Sequence, residues 1–524
     1  MTASTIWPPR TDAAQLEDLV LTVTRSGDDR KLRSVHAPYS DEEIGSVPDC
    51  TGEDVELAIS RARNAQEEWA ARDVSERATI LTRYHDMVLS RQDELLDVMQ
   101  LESGKARRDA LEEVLDVANN ARHYATRAEG YLADEKRKGG FPVLTKARQH
   151  RHPVGVVGVI SPWNYPLTLA VSDAIPALLA GNSVVLKPAE ETPFTALLAV
   201  KLLREAGVPP NVFQVVTGSG KELGPPLIDN VDFVQFTGST KTGRRVAKRA
   251  GKNLVPSSLE LGGKNPMVVF DDADLKWAVD GAIRGCFTNA GQLCLSFERL
   301  YAQSGIYEQF RDELVNRTRS LHLAASYDHD PEVGSLMGKQ QLARVRTHVD
   351  DAVEKGAKLL TGGRHRPDLG PYFYEPTILE GVTDEMLVAH EETFGPVVTL
   401  RSFRSDEEAI SLANDSEYGL NAAVWTGDTD RGHDVARKIE CGTVNLNDPY
   451  TAAWGSVDAP MGGMKQSGLG RRHGDEGFLK YTQTQTVAEQ RFHPIAPPRR
   501  VPMRLYAKGM SAILKLMRRI PGLR

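Results

Sequence analysis

Between residues 154 and 243 the chain alternates short β-branched apolar runs with stretches of helical spacing, and few folds accept that alternation. Residues 154–161 form a continuous apolar run, the pattern of a strand buried on both faces of a parallel sheet. Residues 167–180 read as a helix that stops at Gly181. Residues 183–186 are a second strand, and 195–206 a second helix ending at Gly207. Residues 213–217 and 231–237 are the third and fourth strands, after which Gly238-Ser239 leads into a helix containing Gly243. Parallel strands need crossovers, and helices on both faces give an α/β, doubly wound sheet. A second αβ series runs from about residue 274 to 445, with apolar strands near 397–400 and 422–425. Ahead of both lies a helical, strongly charged stretch from Thr51 to about Ala133. Thr51 with Asp54 reads as a variant capping box, and Ala58, Ala62, Ala65 and Trp69 recur at helical spacing. A second helix is expected over 75–100, ending at Gly104, and a third over 107–132. Residues 1–50 are polar and broken by prolines, an extended lead-in.

Composition narrows the function. At 524 residues the chain exceeds one simple core and suits two or three domains. A net charge of −7 lacks the basic footprint of a nucleic-acid binder. The first ten residues contain no apolar h-region and no run of eighteen apolar residues exists, so neither a secretory signal nor a membrane span is expected. Cys50, Cys286, Cys294 and Cys441 show no CxxC pairing, which argues for a reducing cytoplasm rather than a disulfide framework. No metal site is expected, and His150 and His152 read as surface residues.

Four segments carry chemistry. Gly291-Gln292-Leu293-Cys294 offers a thiol, and Leu259-Glu260-Leu261-Gly262-Gly263-Lys264 a carboxylate between apolar neighbours. Ser161-Pro162-Trp163-Asn164-Tyr165-Pro166 offers a side-chain amide, and Glu392-Thr393-Phe394-Gly395-Pro396 a carboxylate beside an aromatic ring. A thiolate attacks carbonyl carbon, a carboxylate can activate the water that releases the product, and an amide can steady an oxyanion. Together and in this order the segments resemble the aldehyde dehydrogenase superfamily over roughly residues 40–490.

That resemblance implies Cys294 as nucleophile, Glu260 as general base for thioester hydrolysis, and Asn164 with the Cys294 backbone N–H as the oxyanion hole. Relatives that pass the acyl group to coenzyme A, or reduce acyl phosphates, commonly lack the glutamate, so a free acid is the expected product. The family's cofactor segment matches Phe236-Thr237-Gly238-Ser239-Thr240-Lys241-Thr242-Gly243, whose glycines let a helix N-terminus approach a pyrophosphate. Lys187 and Glu190, beyond the second strand, stand at the adenosine ribose. Glu190 would accept from ribose hydroxyls and repel a 2′-phosphate, favouring NAD while leaving NADP possible. Ser161, Trp163, Leu261, Glu392 and Phe394 complete the expected cofactor contacts. Gly220, in the weak lookalike Gly218-Ser219-Gly220 with Gly224, is counted beside them although that stretch reads as a turn.

The resemblance also implies a cofactor domain (1–139 with 154–262), a catalytic domain (263–475), and an oligomerisation hairpin (140–153 with 476–494) forming homodimers or homotetramers. Residues 495–524 remain as a tail. From residue 497 on it carries eight basic side chains and no acidic one. A basic amphipathic helix suits an anionic membrane surface, and a terminal helix packed on the protein is the alternative. Within the superfamily the wording is closest to a bacterial branch labelled succinate-semialdehyde dehydrogenase. Well-defined members of that class hold the substrate carboxylate with two arginines and a serine. Here Ser172 and Thr288 align with the arginines, and only Ser456 matches. Tyr450 and Trp454 near the entrance would also suit an apolar or aromatic aldehyde. A broad-specificity dehydrogenase and a catalytically silent cofactor-binding protein are the rival readings.

Overall fold

The computed structural model describes residues 6–141, 144–491 and 495–520. They divide into two compact units: residues up to Ala128 with Pro153–Tyr481, and Glu129–His152 with the residues from Thr482 onward.

The first unit is built on two sheets. One runs Ser257–Glu260, Phe233–Thr237, Val156–Ile160, Ser183–Lys187, Phe213–Val215, all parallel, with the short antiparallel Gly468–Leu469 on its outer edge. Strand order reverses on either side of Val156–Ile160, the doubly wound topology whose crevice lies at the carboxyl ends of the strands. These strands are almost wholly buried, and each fully buried valine or leucine contributes roughly 1.5–3 kcal/mol. The other sheet has seven strands, in the order Lys358–Thr361, Thr377–Glu380, Val397–Phe403, Phe297–Gln303, Asn265–Val269, Asn421–Trp425, Thr443–Leu446. All of its pairs are parallel except the first. Leu261, Gly262, Gly263 and Lys264 alone lead from Glu260, at the end of one sheet, to Asn265, at the start of the other.

Local structure departs from the sequence reading in four places. The lead-in is folded: Ala13–Val20 is a helix capped by Asp12, and Leu32–His36 pairs antiparallel with Glu43–Pro48. The helix expected over 75–100 breaks at Arg91 into Val74–Ser90 and Gln92–Ser103. That over 167–180 splits into Thr168–Val171 and Ala174–Leu179. Gly220–Asn230 is an additional helix despite Pro225 and Pro226. The Thr51–Asp54 capping box is present, and Arg107–Leu132 is one helix.

The second unit contains a three-stranded sheet, Thr482–Gln490, Thr145–Pro153, Glu135–Lys138, and the helix Met503–Met517, none of whose residues is buried. Among the described residues no helix is long and apolar enough to cross a membrane.

Candidate active site

The thiol sits on a forced turn. After the helix Leu275–Phe287, the consecutive residues Asn289, Ala290 and Gly291 have φ of 52°, 52° and 71°. Left-handed backbone costs a non-glycine residue roughly 1–2 kcal/mol, so other contacts must hold it. The Asn289 N–H donates to Asp109 at 2.8 Å. The Gln292 amide donates to the Asn289 and Ser335 carbonyls at 3.1 and 3.3 Å and accepts from the Met337 N–H at 2.9 Å. A Cβ on Gly291 would overlap the Gly395 carbonyl. The turn delivers Cys294 half-buried, with its carbonyl accepting from the Asn265 amide at 2.7 Å. Its protein surroundings, then the Glu260 and Glu392 carboxylates, push the thiol up to about 12.

Asn164 is fixed from both sides. Its amide donates to the Gln292 carbonyl at 3.1 Å, which leaves its second N–H for another acceptor. Its own carbonyl accepts from Lys105 at 2.7 Å and Asn289 at 3.0 Å. Lys105 is fully buried, ion-paired with Glu113, and lies 4.1 Å from the centre of the Tyr165 ring. Glu113 also accepts from the Leu167 and Thr168 N–H groups at 2.9 and 3.0 Å. One buried ion pair therefore shapes the whole segment 164–168.

Glu260 ends its strand with Oε1 buried and without a hydrogen-bond partner among the protein groups. Burial pushes its carboxyl up to about 7, opposed first by the Arg472 cation and then by Lys480. Arg472 pairs with Asp173 at 3.1 Å. The same Asp173 carboxylate accepts from Gln235 at 3.3 Å, and Lys480 reaches Gln235 at 2.9 Å and Ser258 at 3.3 Å.

Glu392 accepts from the Gly263 N–H at 2.8 Å, and a Cβ on Gly262 would come within 2.5 Å of its carboxylate. Burial and neighbouring Glu298 raise its carboxyl to about 7. Glu298, ion-paired with buried Lys264, receives the N–H groups of Thr393 and Phe394 at 2.9 Å. Phe394 is left-handed (φ 55°) and meets Trp163 edge-on, ring centres 5.5 Å apart. Cys294, Glu260, Asn164, Trp163, Glu392 and Phe394 line one cleft of about 370 Å³, together with Gly238, Ser239, Leu261, Gln341 and Arg344.

The remaining cofactor candidates extend from that cleft. Ser239 caps the helix Thr240–Lys252, accepting from the Thr242 N–H at 3.3 Å. Buried Gly243 leaves no room for a Cβ against Leu261, and Phe236 lies beneath Gly238. Ser161, buried with an unpartnered hydroxyl, follows one strand, and Lys187 ends the next. Glu190 accepts from the Gly220 N–H at 3.0 Å and pairs with Arg33 at 2.9 Å. Free N–H groups at a helix N-terminus, a buried lysine and a ribose-height carboxylate suit a dinucleotide.

The substrate candidates separate. Tyr450 and Trp454 are buried with Tyr165, Leu169, Leu293, Leu295 and Met461 in an apolar cluster that packs against Cys294. The Tyr450 hydroxyl donates to Glu112 at 3.0 Å and lies 3.3 Å from the Thr288 hydroxyl. Ser456 is exposed and its hydroxyl folds back onto the Ala452 carbonyl at 2.6 Å. Ser172, whose hydroxyl donates to buried Asp116 at 2.8 Å, and Thr288 are themselves uncharged. A cation does stand beside the wall: Arg284 pairs with Glu112 at 2.9 Å and lies 5.5 Å from the Tyr450 ring centre. Sequence reading missed Lys105, Glu113, Asp173 and Arg472. A signal existed: Asp109, Glu113, Asp116 and Asn120 recur at i, i+4, i+7 and i+11, a polar stripe on the buried face of Arg107–Leu132.

Known proteins resemble this chain over nearly its whole length. A model of the aldehyde dehydrogenase family matches residues 24–487. A protein of Mycolicibacterium smegmatis named "Putative succinate-semialdehyde dehydrogenase", NADP(+), is 48% identical over 515 residues, covering 98% of this chain and 99% of its own. Betaine aldehyde dehydrogenase of Bacillus subtilis is 39% identical over 477 residues, covering 88% and 95%. The crystal structure of betaine aldehyde dehydrogenase from Staphylococcus aureus in complex with NAD+ superimposes with a TM-score of 0.85 at 35% identity, covering 91% of this chain and 97% of that one. The chain belongs to the aldehyde dehydrogenase family and is an NAD(P)-dependent oxidoreductase acting on aldehydes.

Proposed function

We propose that the chain oxidises an aldehyde to the free carboxylic acid through a thioester on Cys294. The observation that carries this reading is the convergence of Cys294, Glu260 and Asn164 on one cleft. The Cys294 sulfur, having lost its proton, adds to the aldehyde carbon. The free N–H of Asn164 and the Cys294 backbone N–H receive the oxyanion of the thiohemiacetal. NAD(P)+, when bound, would supply the hydride acceptor that turns the thiohemiacetal into the thioester, with Phe394 and Glu392 as the residues that would hold it. Glu260 then takes a proton from water, whose oxygen attacks the thioester carbon and expels the sulfur as product acid forms. A dehydrogenase of this kind loses turnover on Cys294→Ala while retaining NAD+ binding. Unchanged turnover would sink the reading, and a wild type that binds NAD+ without turning over any aldehyde would favour a catalytically silent protein.

Succinate semialdehyde is the first substrate to test, supported by the names of the mycobacterial relatives at 46–48% identity. Its carboxylate requires a cation, because burying one unpaired is costly, and Arg284 is the group at the apolar wall that could supply it. A second reading, an uncharged apolar or aromatic aldehyde, is favoured by the Tyr165–Trp454–Tyr450 cluster, where Trp454 meets the two tyrosine rings at 5.9 and 6.1 Å. NADH and NADPH formation with succinate semialdehyde, hexanal and benzaldehyde decides between them. A kcat/KM at least tenfold higher for succinate semialdehyde, about 1.4 kcal/mol, supports the first reading. Preference for the uncharged aldehydes retires it.

The strand Thr482–Gln490 is an exposed edge of its three-stranded sheet, which supports a homo-oligomer extending that sheet with a second copy. On the helix Met503–Met517, Arg504, Lys508 and Lys515 share one face while Tyr506, Met510, Ile513 and Met517 share the opposite one. That segregation supports peripheral contact of a cytoplasmic enzyme with an anionic membrane. Sedimentation with anionic vesicles, lost on deleting residues 497–524, is the expected result, and sedimentation unchanged by the deletion would reject it.

A further inference from the structure

Resting on the dehydrogenase reading, we propose that Arg33, from the lead-in hairpin, decides whether the chain accepts a 2′-phosphate and so lets it use NADP as well as NAD.

An acidic residue just beyond the second strand of a doubly wound sheet ordinarily selects NAD, because a carboxylate accepts from ribose hydroxyls and repels a phosphate. Glu190 stands there, but not as a free charge. Its Oε1 accepts from the Gly220 N–H at 3.0 Å, and its Oε2 meets Nη1 of Arg33 at 2.9 Å. The same guanidinium reaches Asp49, through Nη2 at 3.0 and 3.1 Å and Nε at 3.2 Å. Lys187 is close by, 3.5 Å from where a Cβ on Gly220 would lie, and buried. Arg33 and Lys187 therefore share the ribose end with the carboxylates of Glu190, Asp49 and neighbouring Glu191, and the charge of Glu190 is paired rather than free.

The Arg33–Glu190 pair is also loose enough to open. The two side chains are 31% and 33% exposed, so the bond is screened and contributes little. Asp49 holds the guanidinium by its other edge and keeps it in place when the Glu190 contact is released. A guanidinium presents a planar fork of donors that matches phosphate oxygens two at a time, which a lysine cannot do. With NADP+, Arg33 leaves Glu190 for the 2′-phosphate. With NAD+, Arg33 stays on Asp49 and Glu190 accepts from the ribose. One arginine thus converts an NAD-type strand end into a site for either dinucleotide.

The test is isothermal titration of the full chain with NAD+, NADP+ and 2′,5′-ADP, comparing wild type with Arg33→Gln, Arg33→Lys and Glu190→Gln. In Arg33→Gln the ratio of NADP+ to NAD+ affinity should fall about tenfold, with a parallel loss for 2′,5′-ADP. Arg33→Lys should fall between, and Glu190→Gln should raise the ratio. The Arg33→Gln deficit should shrink as salt rises, since phosphate attraction at an exposed site is screened. An unmoved ratio, or equal loss for both dinucleotides, overturns the proposal while leaving the dehydrogenase reading intact. Wild-type protein that binds neither dinucleotide overturns both.

Discussion

Arg472 and Asp173 meet at 3.1 Å with side chains only 8% and 4% exposed, a buried ion pair set behind Glu260. Burial raises the Glu260 carboxyl to about 7, and the Arg472 cation is the largest influence opposing that rise. As the proposed general base, Glu260 works only when ionised, so the thioester-hydrolysis step should climb with pH through about 7 and level off above it. Arg472→Met removes the opposing charge, raises Glu260 further and moves this limb to higher pH. Because it also strands Asp173, it should cost about 3–5 kcal/mol of stability. Stopped-flow pH profiles and urea unfolding read the two effects separately, and a limb that stays in place would exclude the electrostatic role.

The Cys294 thiol, lifted to about 12, predicts slow alkylation of the resting enzyme. Below that value the thiolate fraction grows tenfold per pH unit. Iodoacetamide inactivation should therefore accelerate about tenfold per unit between pH 7 and 9. A rate flat across that range would mean a thiolate already formed.

Lys105→Met should disable the enzyme from a distance. It leaves Glu113 buried without its cation and releases the Asn164 carbonyl, with an expected loss of about 3–5 kcal/mol. Pairing it with Glu113→Leu should recover part of the stability without activity, because the buried charge is gone but the Leu167 and Thr168 N–H groups lose their acceptor. Recovery of both together would show that the segment 164–168 needs no such anchor.

Trp454→Ala should lower kcat/KM for benzaldehyde about 10- to 100-fold by removing one wall of the apolar cluster. Arg284→Gln should instead weaken succinate semialdehyde alone, raising KM more than it lowers kcat. Equal effects of Arg284→Gln on both substrates would assign Arg284 to packing against Tyr450.

The doubly wound sheet was legible because strands buried on both faces write themselves as unbroken apolar runs, as Val156–Ile160 and Ser183–Lys187 do. The chemistry-bearing segments were legible through family likeness, not through any periodicity. The lead-in hairpin was not legible: Leu32–His36 is mostly exposed, so its sequence carries no burial pattern, and Pro38 and Pro48 beyond it read as breakers. Nothing local marks Arg33 as a neighbour of Glu190, 157 positions later. The break at Arg91 has neither proline nor glycine to announce it, and Arg91 is held there by Glu94 and Glu205. The stripe Asp109–Glu113–Asp116–Asn120 was not legible as buried, because charged residues are mostly exposed. It is buried because Lys105, just before the helix, and the backbone of Asn289, Leu167 and Thr168, from distant sequence, supply its partners.

The four residues between Glu260 and Asn265 act as a mechanical tether. Five backbone steps span at most about 17 Å when fully drawn out, so the two sheets cannot separate farther than that at this point. Gly262 and Gly263 cannot be replaced to stiffen it, since a methyl group on either would strike Glu392 or the Cys294 carbonyl. Any breathing of one sheet against the other must therefore pass through the stretch that carries the carboxylate on one end and packs beneath the sulfur on the other. Inserting a single residue there would lengthen the leash and detune the pair, while insertions in distant loops would leave their spacing untouched.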